Sequence, residues 1–273
     1  VVDSSSAAAE HSTLLRTAYE CAVCSKLAYF SASDAISHAA TAGVLDCTPF
    51  EEGETQGALF EFPEYYIIAF RGTTHEDIDS DLRVCRVAGP DGRGLVHRGF
   101  YAYTMAGIGI VELLLSVRDP GKPVIFAGHS LGGAAATLAA AFLITDQRIT
   151  NRVLNVFTFG SPRVGDAEFA RLLDEIVGHQ RFVNANDGVA YVPWLMGLYR
   201  HCGNLHYITT GKQIWHRPCW LSVLLDRWGG FKRSPFRWAT DKVQDHWLDR
   251  YIHAIAINLA EELPRSTPVE VSA

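Results

Sequence analysis

FAGHSLGG, residues 126–133, completes the apolar run VIFA and opens onto the alanine-rich stretch GGAAATLAAAFLI. A short β-forming run, a glycine-framed serine and a long helical segment make a strand–turn–helix unit. At that junction stands Gly128-His129-Ser130-Leu131-Gly132, the Gly-x-Ser-x-Gly pattern of a nucleophile elbow. Such a turn forces the serine backbone into a strained conformation, and only glycine at the flanking positions avoids collision between strand and helix. The side chain is then presented at a helix N-terminus, where backbone N–H groups and the helix dipole favour a developing anion. Ser130 therefore reads as a nucleophile, not as a small residue in a crowded turn.

The flanking segments extend the same alternation. GALFEF and YYIIAF, separated by Pro-Glu, carry the signature of a hairpin. GLVHRGF reads as a strand edge entering the helix YAYTMAGIGIVELLLSV. KPVIFA, VLNVFTF and RFVNAN read as strands, with AEFARLLDEIV as the helix between the last two. STLLRTAYECAVCSKLAYF is an N-terminal helix behind a serine cap, and HWLDRYIHAIAINLAEEL is the last clear helix. Strands alternating with helices of this length predict an α/β fold, with a mostly parallel central sheet and helices on both faces. Ligands of such sheets sit beyond the carboxyl ends of the strands, where AGHSLGG lies. No repeat, low-complexity tract or Pro/Ser-rich linker divides the chain, so residues 1–273 read as one domain.

Composition bounds the partners. The chain has 273 residues, 48% of them hydrophobic and 20% charged, as expected of a globular protein with a substantial core. A formal charge of −6, with no lysine or arginine stripe, argues against nucleic acid and gives no pull towards anionic lipid. No stretch reads as reaching the ~18 apolar residues of a membrane span. The chain begins VVDSSS without an initiator methionine, which fits a mature or trimmed product; this leans towards secretion without fixing a compartment. Cys21 and Cys24 resemble a metal or redox pair, but no second close pair completes a zinc site, so they read as buried thiols on a helix. No metal and no cofactor is implied.

A neutral serine hydroxyl needs a general base oriented by a carboxylate. In α/β-hydrolases both follow the serine, acid before histidine. Asp187, at the end of RFVNANDGV, stands at the sheet edge where an orienting acid belongs. Its rival Asp166, in SPRVGD, reads as the N-cap of AEFARLLDEIV. Of the downstream histidines, His201, His206 and His216 fall in the connection after Asp187, and His253 lies inside the final helix. His246 occupies the loop-to-helix junction, from which an imidazole can reach over the sheet's end, and is the favoured base. The N–H of Leu131, next to the nucleophile, is one oxyanion donor. Thr73, after IIAFRG, offers a second N–H and a hydroxyl, although on its residues alone it reads as a threonine satisfying its own turn.

Taken in order, AFRGT, VHRGF, GHSLGGAAATL, TFGSPRVGD, NDGVAYVP and DHWLDRY resemble the class 3 (fungal-type) lipase family over roughly residues 55–255. The resemblance implies a serine acyl-ester hydrolase of α/β-hydrolase type, acting without metal or cofactor. It implies Ser130 as nucleophile, Asp187 as orienting acid, His246 as base, and Thr73 with Leu131 as oxyanion donors. For Thr73 it reverses the plainer reading.

Two departures stand out. Ala190 replaces a proline that many relatives carry after the aspartate. The lid, about 74–86, holds HEDIDSDLR, whose Glu76, Asp77, Asp79 and Asp81 gain little from a lipid interface. That segment implies weak interfacial activation and dispersed, short- to medium-chain esters.

Apolar surface lies further on. Val192, Trp194, Leu195 and Met196 of YVPWLMGLY are candidates to line an acyl pocket. In WHRPCWLSVLLDRWGGF, Trp220, Leu224 and Trp228 fall near one helical face, read first as covering the core and second as a flap facing substrate or membrane. The expected substrate is an acylglycerol ester, with transient lipid-interface contact and no transmembrane segment. A feruloyl- or polyester-type esterase is the alternative, a phospholipase or galactolipase is left open, and a non-catalytic lipase-like binding module is the remote one.

Overall fold

The computed structural model describes residues 4–72, 85–149, 152–193, 197–233 and 246–262. Its strands are β1 (Asp46–Glu52), β2 (Thr55–Glu61), β3 (Tyr66–Phe70), β4 (Arg86–Ala88), β5 (Leu95–His97), β6 (Val124–His129), β7 (Val153–Phe159), β8 (Gly178–Asn184), β9 (Asn204–Ile208) and β10 (Ile214–His216). Eight of them form one sheet in the order β1-β2-β3-β6-β7-β8-β9-β10, while β4 and β5 make a separate antiparallel ribbon. β1, β2 and β3 form an antiparallel meander. From β3 through β6, β7 and β8 to β9 every pairing is parallel, and β10 turns back antiparallel at the far edge. Pro49, which has no N–H to give a neighbour, sits on the edge strand β1 where none is needed.

The helices are α1 (Ser4–Leu27), α2 (Ala32–Thr41), α3 (Arg98–Ser116), α4 (Leu131–Thr145), α5 (Ala167–Ile176), α6 (Trp220–Arg233) and α7 (Leu248–Glu262). Alternate strand residues divide the core in two. Tyr66, Ile68, Phe70, Val124 and Phe126 pack with α3, α4 and α5 on one face. Ile67, Ala69, Ile125, Ala127 and Phe157 pack with α1, α2 and α7 on the other. Because both faces are covered, the central strands are apolar at consecutive positions instead of alternating with polar ones. α4 is the tightest element, with Ala134, Ala135, Ala136, Ala139, Ala140 and Ala141 all fully buried. Its small side chains let the helix lie close on β6 and β7, and an alanine enlarged to leucine there would cost roughly 1–3 kcal/mol of overpacking.

Two expectations are corrected. α3 is long and apolar enough to cross a membrane, contrary to the reading that no stretch is. It is used here as a core helix, burying Phe100, Ile108, Val111 and Leu115 in the first layer. The connection after Asp187, to which the sequence reading assigns no element, contributes β9 and β10, so His206 and His216 are strand residues. The second correction is α6, which forms over the tryptophan-rich segment but leaves Trp220, Leu224 and Trp228 exposed, so it does not cover the core with them.

Candidate active site

The parallel strands all end at one edge, and the expected site residues gather there. Ser130 follows the last residue of β6 with φ 58° and ψ −128°, the strained turn the glycine frame requires. A Cβ on Gly128 would meet the Gly132 carbonyl oxygen at 2.1 Å, and one on Gly132 would meet the Phe70 carbonyl oxygen at 2.2 Å. Neither flank of the serine can be anything larger. The Ser130 N–H donates to Phe159 O at 3.0 Å, and its carbonyl accepts from Gly133 N at 3.0 Å as α4 begins. Leu131 is the first residue of that helix, so its N–H belongs to the turn without intrahelical acceptors.

Asp187 lies three residues past the end of β8 and is fully buried. The His246 Nδ1 stands 3.0 Å from both of its carboxylate oxygens. A carboxylate only accepts, so Nδ1 carries the proton and Nε2 is left as the basic nitrogen. Asp187 Oδ1 also accepts from Val189 N at 2.9 Å, and Oδ2 accepts from the Tyr251 hydroxyl. Tyr251, held in α7, in turn accepts from Asn184 N at 3.0 Å and so ties the acid loop to the helix that follows His246.

His129 links this pair to the elbow. A backbone carbonyl only accepts, so the 2.6 Å contact from His129 Nε2 to His246 O is an N–H donated by His129. Its Nδ1 is then an acceptor, satisfied by the Tyr29 hydroxyl at 3.0 Å. Burial pushes the Tyr29 phenol up, which keeps it a neutral donor. The His129 and His246 rings lie 4.5 Å apart between centroids. On the β3 side, a Cβ on Gly72 would lie 3.3 Å from Ser130 Cβ, so the chain passes against the serine as it enters Thr73.

Ser130, Asp187, His246 and Leu131 are thus brought to one place. Thr73 lies outside the described residues, as do Trp194, Leu195 and Met196. Of the segment 74–86 only Cys85 and Arg86 are described, and Arg86 opens β4. Val192 is buried, its carbonyl accepting from Arg163 N at 2.8 Å.

The rival residues go elsewhere. Asp166 caps α5, accepting from Glu168 N and Phe169 N at 3.0 Å each. His253 is exposed on α7, and His201 contacts Ala190 O at 2.6 Å. The sequence by itself assigns no role to Tyr251, Tyr29 or His129. His129 lay in plain sight as the variable residue of Gly-x-Ser-x-Gly, whereas nothing local marks either tyrosine.

All six cysteines are free thiols, and burial pushes Cys21 and Cys24 well above the usual thiol range. Among the described residues no group of three His, Cys, Asp or Glu side chains is arranged for a metal ion.

Residues 67–196 match the class 3 lipase family. Toxin TseL of Vibrio cholerae is 41% identical over 117 residues, which is 42% of this chain and 18% of that protein. A lipase of Rhizomucor miehei is 34% identical over 153 residues, 52% of this chain and 41% of its own length. The chain thus spans less than half the length of these curated relatives. Among solved structures, a propeptide complex of Rhizomucor miehei lipase superposes with a TM-score of 0.62 at 23% identity, covering 80% of this chain and 77% of that one, a likeness of fold.

Proposed function

We propose that this chain, which matches the class 3 lipase family over residues 67–196 and has the α/β-hydrolase fold, is a serine hydrolase of acylglycerol esters, acting as one domain. The observation that carries the reading is the His246 imidazole held by a buried Asp187 beside a serine strained to φ 58°. His246 Nε2 takes the Ser130 proton as Oγ bonds to the ester carbonyl carbon. The oxyanion so formed is met by the N–H groups of Leu131 and Thr73. Collapse breaks the bond to the alcohol, which leaves with the proton from His246. Water then attacks the acyl-Ser130 ester with the same base, releasing the fatty acid and restoring the serine. Asp187 keeps the imidazole in the correct tautomer and faces its positive charge. Val192, with Trp194, Leu195 and Met196, is the candidate acyl-binding stretch.

The substrate is lipid or a simple ester, and contact with a lipid surface is transient. The acidic HEDIDSDLR segment supports weak interfacial activation and also favours the alternative of aromatic or polymeric esters. Rates on methyl ferulate against p-nitrophenyl acyl esters separate the two. Replacement of Ser130 by alanine is expected to lower hydrolysis of p-nitrophenyl butyrate by about 10³-fold or more. Activity surviving that change intact would remove the nucleophile and the reading with it.

A further inference from the structure

Helix α6 is built inside out. In a surface helix the apolar stripe faces the core and the charges face water. Here Trp220, Leu221, Leu224, Leu225 and Trp228 are exposed, from 48% for Leu221 to 76% for Trp220. At ~100° per residue these five occupy an arc of about 140°. The charged residues of the same turns face the protein. Asp226 accepts from the Tyr207 hydroxyl at 3.0 Å, from Thr210 N at 3.0 Å and from the Thr210 hydroxyl at 2.9 Å. The Arg227 guanidinium lies 4.5 Å over the Tyr191 ring. Those polar pins fix the helix's rotation, so the outward tryptophans and leucines are a held orientation.

The position of the helix matters as much as its polarity. Tyr207 lies near the carboxyl end of β9, and Thr210 in the turn that follows it. Tyr191 follows Asp187 by four residues. The helix therefore packs, through its polar side, at the edge of the sheet where Ser130, Asp187 and His246 meet. Trp247, adjacent to His246, is also exposed.

We propose that α6 docks the protein onto a neutral lipid surface, with Trp220, Leu224 and Trp228 entering the boundary layer and bringing the sheet's carboxyl edge over its substrate. This rests on the acylglycerol-hydrolase reading and deepens it. Charge selects the occupant. The five residues carry no charge, which matches an uncharged or zwitterionic surface and offers an anionic headgroup no partner among them. Size selects it too. At ~150–250 Å² for a whole aromatic side chain, the face offers on the order of 500 Å². That falls short of the ~800 Å² per partner of a stable protein interface. Tryptophan is the residue that settles at a water–lipid boundary, with its ring in the apolar layer and its N–H in the wet one. Adsorption is thereby assigned to the segment between acid and base.

The test uses the full chain with Trp220→Ser, Leu224→Ser and Leu225→Ser combined. Adsorption is read in a Ser130→Ala background, so that catalysis cannot alter the vesicles, by co-sedimentation with phosphatidylcholine vesicles. The triple change is expected to weaken adsorption about tenfold or more, since it removes three apolar side chains from the face that enters the lipid. In the Ser130 protein, the ratio of rates on emulsified tributyrin to dissolved p-nitrophenyl acetate should fall by a similar factor. Unaltered adsorption and an unaltered ratio would overturn the proposal. So would a Ser130→Ala protein that ignores the vesicles, or one found by analytical ultracentrifugation as a dimer that the triple change dissociates. Failure to hydrolyse dissolved p-nitrophenyl acetate in the unsubstituted chain would instead count against the hydrolase reading itself.

Discussion

His246 and His206 are both buried, and each is held through Nδ1. They differ in what holds them. His246 faces the two oxygens of Asp187 at 3.0 Å, whereas His206 faces the Nδ1 of His216 at 2.7 Å. A carboxylate attracts an imidazole more strongly once the ring takes a proton, and a second imidazole does not. Burial, then His216, Arg181, His11 and Arg217, push His206 down to about 3. Burial and His11 take His216 down to about 4. On the outer side, His11 packs edge-on against His216 and pairs with Glu262 at 2.6 Å, while His206 Nε2 contacts the Gln180 side chain at 2.7 Å. One fold thus contains a histidine held by a carboxylate, the geometry the proposed base requires, and a histidine pair whose neighbours disfavour its charge. The neighbour, not the residue type, sets the role.

The largest effect is expected at Asp187. Asp187→Asn keeps the shape but replaces an acceptor by an amide that favours the other imidazole tautomer. The expected loss in kcat on a dissolved p-nitrophenyl ester is about 10⁴-fold. A loss under about tenfold would mean that His246 does not depend on its carboxylate and that the contrast is empty.

The neutral pair makes stability depend on acidity. His206, His216 and His179, the last pushed by burial to about 3, all titrate below the ~6.5 of an unfolded histidine. Between those values the unfolded chain binds protons that the folded one refuses. Their contribution is therefore complete above pH ~6.5 and is lost as the pH falls towards about 4 and below. Melting temperature should drop from pH 7 to pH 5, and His206→Gln should flatten that slope. An identical slope in the variant would show that the pair titrates elsewhere.

Tyr251→Phe gives the smallest effect. It removes one donor from Asp187 and one acceptor from Asn184 N, leaving His246 and Val189 N on the carboxylate. Stability should fall by about 1–2 kcal/mol, read by denaturant titration, and kcat by about threefold to tenfold. No change in either would place Tyr251 outside the support of the acid.

What the sequence revealed follows from how local each signal is. Ser130 announces itself because its glycines, strand and helix are contiguous. Asp187 and His246 follow from chain order and from lying where an element ends or begins. Tyr29 reaches His129 across 100 positions, and no spacing rule spans that distance. β9 and β10 escaped because His206 and His216 interrupt their apolar pattern, and β1 because Pro49 argues against a strand until it is known to be an edge. The apolar stripe of α6 was legible as a stripe. Its direction was not, because Asp226 and Arg227 find Tyr207, Thr210 and Tyr191 only once β9 has joined the sheet.

Covalent labelling reads the proposed activation of Ser130 without any substrate assumption. Incubation with a p-nitrophenyl alkylphosphonate should release one equivalent of nitrophenol and place the phosphonyl mass on the peptide carrying Ser130. Asp187→Asn should label far more slowly. Labelling of another residue, or none under conditions where esters are hydrolysed, would contradict the assignment of Ser130, Asp187 and His246 as one catalytic unit.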